Sequence, residues 1–279
     1  MSGLALALVL GSAVAHAAWN LFFKQASGGA VFTWLCAVAA AVLYAPIGLV
    51  ELGRGEWSQE LALLAVASGF LHLLYLLVLQ RAYETGDLSH VYPLSRGFGA
   101  LLAAILAILA LGERPSALAC VGIGLIVLAL LVLAASGVHR RSATAWALAT
   151  GATIAVYTVW DKNAVDDFDH SPLLYFWINL MTIALALGVI VWRRRREWSM
   201  VWSSERTGVL AFGILGPTAY TLVLLALALA PASHVAPVRE VSVVIAAVLG
   251  ARLLGEESGL RRTLAAVAVA AGVVAVAVG

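Results

Sequence analysis

The sequence predicts an all-α integral membrane protein with ten transmembrane helices, arranged as two inverted five-helix repeats. Three observations carry this reading. Hydrophobic residues make up 63% of the chain and charged residues only 11%, against about 25% charged in ordinary soluble domains. Apolar segments of about 20 residues, long enough to cross a hydrocarbon core of about 30 Å as helices, recur along the chain with only short polar links between them. A compound motif, Ser-His-Val-x-Pro followed by Leu-Gly-Glu, occurs once within Asp87 to Pro115 and again within Ser233 to Glu256.

Taken in order, the expected spans are 2–23, 29–50, 60–82, 88–111, 116–136, 143–162, 172–192, 207–229, 233–254 and 260–278. The first contains Ala15-His16-Ala17, which resembles a signal-peptidase site. It lacks the positively charged leader of a secretory signal and is read as a spanning helix. Turn chemistry marks several links, as at Ser27-Gly28-Gly29, Ser136-Gly137 and Ser171-Pro172. The repeated motif falls on the fourth and ninth spans, so the units are residues 1–138 and 139–279. Five is odd, so a chain that crosses at every span inverts its second unit. Inverted repeats are the usual build of secondary transporters, with the substrate near the midplane between the halves. Lys and Arg concentrate in the odd-numbered links, twelve against three in the even-numbered ones. This bias places the odd links in the cytoplasm and both termini outside.

Composition also excludes functions. A net charge of +2 gives no footprint for nucleic acid. Cys36 and Cys120 lie in apolar runs and read as small buried hydrophobes rather than a disulfide. There is no paired-carboxylate site, no Cys/His metal spacing, no Gly-x-Ser-x-Gly elbow and no phosphate-cradling glycine loop. The expectation is a protein that is not an enzyme and holds neither metal nor cofactor.

Polar residues inside the spans are the informative ones. His16, Trp19, Asn20, Phe23 and Lys24 follow i, i+3, i+4, i+7, i+8 spacing, which is a single helical face. Tyr157, Trp160 and Asp161 repeat the start of that spacing in the sixth span. Lys162 follows Tyr157 by five residues, as Lys24 follows Trp19. His72 and Tyr75 in the third span, Tyr92 in the fourth and Tyr220 near Pro217 in the eighth complete the outline of a polar, aromatic-lined cavity. Arg96 stands eight residues beyond Leu88, about 12 Å along a helix, too deep to reach water comfortably. Charged groups at such depth are functional candidates. Aligning the motif copies puts Arg96 opposite Glu240, and Ser95 opposite Arg239. Either Arg96 and Glu240 form an ion pair tying the repeats together, or one or both arginines bind the anionic group of a solute, since guanidinium meets carboxylate and phosphonate bidentately. Glu240 is then a counter-ion or the group whose protonation couples transport to a proton gradient. Pro93 and Pro237 each remove the helix bond to a serine carbonyl, that of Ser89 or Ser233, and are expected hinges. His90 and His234, near the starts of their spans, are expected at the membrane interface. Glu113 and Glu256 precede the next span and are expected to cap its N-terminus.

Two five-helix units, each with Leu-Gly-Glu between its fourth and fifth helices, resemble the EamA branch of the drug/metabolite transporter superfamily over essentially the whole chain. Within that branch, His16-Ala17-x-Trp19-Asn20 with Lys24, and Val91-Tyr92-Pro93-Leu94-Ser95-Arg96-Gly97, are similar to a subgroup labelled phosphonate-utilisation-associated membrane proteins. The resemblance implies a carrier in the bacterial inner membrane with a central cavity lined mainly by helices one, three, four, six, eight and nine. Small multidrug members of the superfamily use a glutamate in helix one, where this chain has no acid, so export of cationic drugs is disfavoured. The expected function is export of a small anionic or zwitterionic metabolite, an amino acid or related compound, by alternating access in a monomer. Arg96 is the leading ligand, Trp19, Asn20, His16, Tyr75, Tyr92, Tyr157, Trp160, Arg239 and Glu240 complete the site, and a proton is the candidate coupling ion. The alternatives are a flippase for a lipid-linked phosphate carrier and a non-transporting membrane partner protein.

Overall fold

Backbone in hydrocarbon must satisfy its own N–H and C=O groups, so apolar runs of this length become helices. The computed structural model describes residues 1–26, 28–55, 57–86, 88–134, 140–166, 171–245 and 260–279. Its helices are α1 (Gly3–Gln25), α2 (Gly29–Gly53), α3 (Gln59–Thr85), α4 (Leu88–Ala110), α5 (Ala117–Ala134), α6 (Arg141–Asp166), α7 (Pro172–Val191), α8 (Trp198–Leu227), α9 (Ala232–Arg239) and α10 (Leu260–Val278). Five helical stretches among the described residues are long and apolar enough to cross a membrane, and Gly3–Trp19 and Leu264–Val278 are shorter apolar helices. Local chemistry starts several of them. Ser58 accepts from the Leu61 amide at 3.0 Å to begin α3, Ser116 from the Ala119 amide at 3.1 Å to begin α5, and Ser171 from the Leu173 amide at 3.2 Å to begin α7.

Two boundaries differ from expectation. The arginine-rich link after α7 is a 3-10 turn, Trp192–Glu197, and α8 starts directly after it at Trp198 rather than at residue 207. Arg194 leaves helical geometry there, with φ −100° and ψ 19°. Its guanidinium meets Glu197 at 2.9 and 2.5 Å. The second difference is in the ninth span, expected to run through 233–254. Helix α9 ends at Arg239, Glu240 is a turn residue, and helix resumes over 241–245. Residues 246–254 of that expected span lie outside the described residues. Pro237 offers no N–H to the Ser233 carbonyl, and the amides of Glu240 and Val243 bond three residues back, each at 3.0 Å, the tighter 3-10 spacing. Pro93 lies inside an uninterrupted α4. The two expected hinges therefore differ, with a break after Pro237 and none at Pro93.

The first Leu-Gly-Glu acquires a structural meaning. Gly112 has φ +68°, a left-handed conformation that favours glycine, and the Glu113 amide returns to the Ala107 carbonyl at 3.3 Å, as at a glycine-capped helix end. Contrary to expectation, Glu113 does not cap the helix that follows it. It reaches across to α9, accepting from the Ala232 amide at 2.7 Å and the Ser233 amide at 2.9 Å. The reason is that Ser116 already serves α5, whereas Pro231 before α9 supplies no side-chain cap. Leu254, Gly255 and Glu256 lie outside the described residues. His90 and His234 are buried within the protein. The His90 ring joins the Ala134 carbonyl at 2.8 Å and the Thr144 hydroxyl at 3.1 Å, linking α4 to α5 and α6.

Helices pack across the midpoint of the chain: α1 on α8, α2 on α7, α3 on α6 and α7, α4 on α6 and α9, and α5 on α10. Two indoles lock α2 to α7, Trp34 donating to the Ala184 carbonyl at 3.1 Å and Trp177 to that of Ala41 at 3.0 Å. At the α5–α10 crossing, a Cβ on Gly122 would lie 2.6 Å from the Gly272 carbonyl oxygen, whereas one on Gly124 would meet nothing within 4 Å. Gly122→Leu should therefore force the helices apart, costing about 1–3 kcal/mol or more by overpacking. Gly124→Leu should leave the unfolding midpoint in detergent unchanged, and equal midpoints for the two variants would contradict the close crossing.

Candidate functional site

The break after α9 sets the site. Ending the helix at Glu240 aims its carboxylate at α4, where Arg96 meets it bidentately, Nε to Oε2 at 2.6 Å and Nη2 to Oε1 at 2.7 Å. The side chains are 2% and 1% exposed, so this is a fully desolvated fork. Arg239 lies on the other side of the same carboxylate, its Nε 3.7 Å from Glu240 Oε1, which is beyond hydrogen-bond reach. Its Nη2 donates to the Tyr157 hydroxyl at 3.4 Å, a long contact, and its buried Nε has no hydrogen-bond partner among the described residues. Two guanidinium groups share one carboxylate, which leaves one positive charge in surplus, and geometry puts that surplus on Arg239.

Arg239 lines a cleft enclosing about 840 Å³ of empty space, part of it open to the outside. From α1 come Ser12, His16 and Trp19, from α3 His72 and Tyr75, from α6 Tyr157, and from α8 Phe212, Pro217 and Tyr220. The indole N–H of Trp19 donates to His16 Nδ1 at 3.2 Å, and its ring stands edge-on to Phe212 at 4.9 Å. The His72 ring stacks on Tyr157 at 4.2 Å. Helices α2 and α7 contribute as well, through Thr33, Ala37 and Ala40, and through Phe176, Asn179, Leu180 and Ile183. Helix α4 contributes no lining residue, because Arg96 is turned into its pair with Glu240.

The structure thus brings His16, Trp19, Tyr75, Tyr157 and Arg239 to one cavity. Arg96, Glu240 and Tyr92 pack outside its lining. Trp160 is 37% exposed and donates to the Leu64 carbonyl at 3.1 Å on the outer surface. The side chain of Asn20 lies outside the described residues.

A second polar cluster borders the cavity. Asp161, 0% exposed, accepts from Ser68 Oγ at 2.6 Å and from the Tyr175 hydroxyl at 2.6 Å through Oδ1, and from the Tyr220 hydroxyl through Oδ2. Three O–H donors hold this buried carboxylate without a close cation, and His72 Nε2 lies 3.9 Å away. Asn179 Nδ2 donates to Ser68 Oγ at 2.8 Å. The direction of that bond is fixed, because the Ser68 hydroxyl hydrogen is committed to Asp161. Four buried polar atoms of the lining have no hydrogen-bond partner among the described residues: Ser12 Oγ, His72 Nε2, Asn179 Oδ1 and Arg239 Nε. Unpaired buried groups are costly, and these converge on one empty space.

Residues 141–278 match the EamA-like transporter family. The match covers just under half of the chain and supports a membrane transporter in general. A solved crystal structure, 14% identical, superposes on 99% of this chain and 96% of its own with a TM-score of 0.76. At that identity the likeness is one of fold. No curated protein matches the chain.

Proposed function

We propose that the protein is a secondary transporter in the bacterial inner membrane that exports a small anionic or zwitterionic metabolite, an amino acid or related compound, by alternating access. Arg239 is the ligand for the solute's anionic group. The observation that carries this is the surplus guanidinium: it is buried, it lines the cavity, and its Nε has no hydrogen-bond partner among the described residues. A charge at such depth needs compensation, and a carboxylate or phosphonate entering the cavity supplies it. Asn179 Oδ1 offers an acceptor in the same cavity for an ammonium or hydroxyl group, while Trp19, Tyr75 and Tyr157 shape the apolar remainder. Arg96, the leading ligand by sequence, instead holds Glu240 so that Arg239 is presented to the cavity.

Packing of the first unit on the second supports rocking of residues 1–138 against 139–279, with the chain break beside Pro237 as the more compliant of the two hinge positions. The experiment is a counterflow screen in proteoliposomes with small carboxylates, amino acids and phosphonates, each paired with its amide or ester, with and without a pH gradient. Exchange of at least one acid, and not of its uncharged analogue, is expected. Exchange confined to neutral or cationic solutes, or no exchange at all, would overturn the proposal.

A further inference from the structure

The 3-10 turn Trp192–Glu197 carries four consecutive exposed arginines, Arg193 to Arg196, which the transport reading does not use. Arg194 is neutralised by Glu197. Arg193, Arg195 and Arg196 have no acidic partner among the described residues, and the Arg195 guanidinium lies 5.8 Å from the centre of the Trp192 ring. Directly beneath the turn, an open apolar groove runs between α2 and α7. Its walls follow from helical periodicity. Met181, Leu185 and Val189 lie along one stripe of α7, continued by Trp192 at the start of the turn, and Trp34, Val38 and Val42 lie along one stripe of α2. Its floor stays low because Gly188 carries no side chain where Trp34 Nε1 would lie 3.0 Å from a Cβ.

The dimensions match one lipid chain in one leaflet. From Met181 to Trp192 the groove follows α7 for about 16 Å at about 1.5 Å per residue, half of a hydrocarbon core of about 30 Å. It starts near the bilayer centre and ends at Trp192 and Trp198, where indoles favour the interface, with the arginines beyond them at headgroup level. Trp198 Nε1, at that end, is a buried donor with no hydrogen-bond partner among the described residues. The charge bias of the links puts this turn on the cytoplasmic side, where the leaflet is anionic.

The geometry points to a binding site for an anionic phospholipid, with one acyl chain in the α2–α7 groove and the phosphodiester headgroup on Arg193, Arg195 and Arg196. Each arginine at an anionic surface strengthens binding roughly five-fold. The test is native mass spectrometry of the purified full-length protein titrated with phosphatidylglycerol and, separately, phosphatidylcholine. Replacing Arg193, Arg195 and Arg196 together with glutamine should weaken phosphatidylglycerol binding about 100-fold and leave phosphatidylcholine binding unchanged. Val189→Trp, at a position 79% exposed, should fill the groove and weaken phosphatidylglycerol binding at least ten-fold with every arginine in place. If the triple variant fails to fold, Arg195→Gln alone should give about a five-fold loss. Unchanged phosphatidylglycerol binding in the arginine variants would remove the headgroup site. Unchanged binding in Val189→Trp would reduce the effect to charge attraction without a groove and overturn the assignment equally.

Discussion

Glu240→Ala is expected to destabilise the protein by about 3–5 kcal/mol, the cost of stranding a buried charge, against a total stability on the order of 5–15 kcal/mol for ordinary domains. The Arg96 fork is bidentate and fully desolvated, so losing the carboxylate strands a buried guanidinium. Arg96→Ala should cost a similar amount by leaving Glu240 with only the 3.7 Å approach of Arg239. Replacing both, Arg96→Met with Glu240→Leu, should recover most of the loss, since well-packed apolar pairs often equal or exceed buried ion pairs. A double-mutant cycle on unfolding in detergent measures the coupling. Single variants within about 1 kcal/mol of the parent, against the cost given for breaking a buried pair, would show that the pair is not the tie between α4 and α9.

Arg239→Gln should do the reverse, with little loss of stability and a large loss of function. Its one hydrogen bond among the described residues, to Tyr157, is 3.4 Å long, so its removal takes away little that holds the fold. A solute anion bound there would lose a charged hydrogen-bond pair worth about 1.5–3 kcal/mol, which is roughly a 10- to 150-fold rise in Kd. Arg239→Lys should fall between, because it keeps the charge and loses the planar fork. The two neighbours would then separate cleanly in experiment, Glu240 as the residue of stability and Arg239 as the residue of binding.

Much of this was legible in the sequence, for physical reasons that also explain the rest. Spans of about 20 apolar residues announce helices because hydrocarbon allows little else, and the doubled motif placed Arg96 opposite Glu240 before any coordinates. Which of the adjacent Arg239 and Glu240 faces the cavity depends on the rotation of α9, and that rotation is set by a break no periodicity reveals. Glu113 showed that it belonged to a helix end, but not to which one, since its partner α9 is more than a hundred residues away. Asp161 could have been singled out. An acid within an apolar span is the same kind of signal as Arg96, although the spacing of Asp161 with Tyr157 and Trp160 reads as part of an aromatic face. Its three hydroxyl donors come from α3, α7 and α8, and no local spacing connects them. The contribution of α2 and α7 to the cavity was equally hidden, because their lining residues are mostly apolar and look like packing.

The most direct measurement of the central claim compares an acidic solute with its own amide in parent and Arg239→Gln protein, reading Kd or counterflow half-saturation. The parent should prefer the acid by about 10- to 150-fold, and Arg239→Gln should erase that preference while its unfolding midpoint stays close to the parent's. An Arg239→Gln protein that still prefers the acid by the same factor would contradict the assignment and place the anion elsewhere.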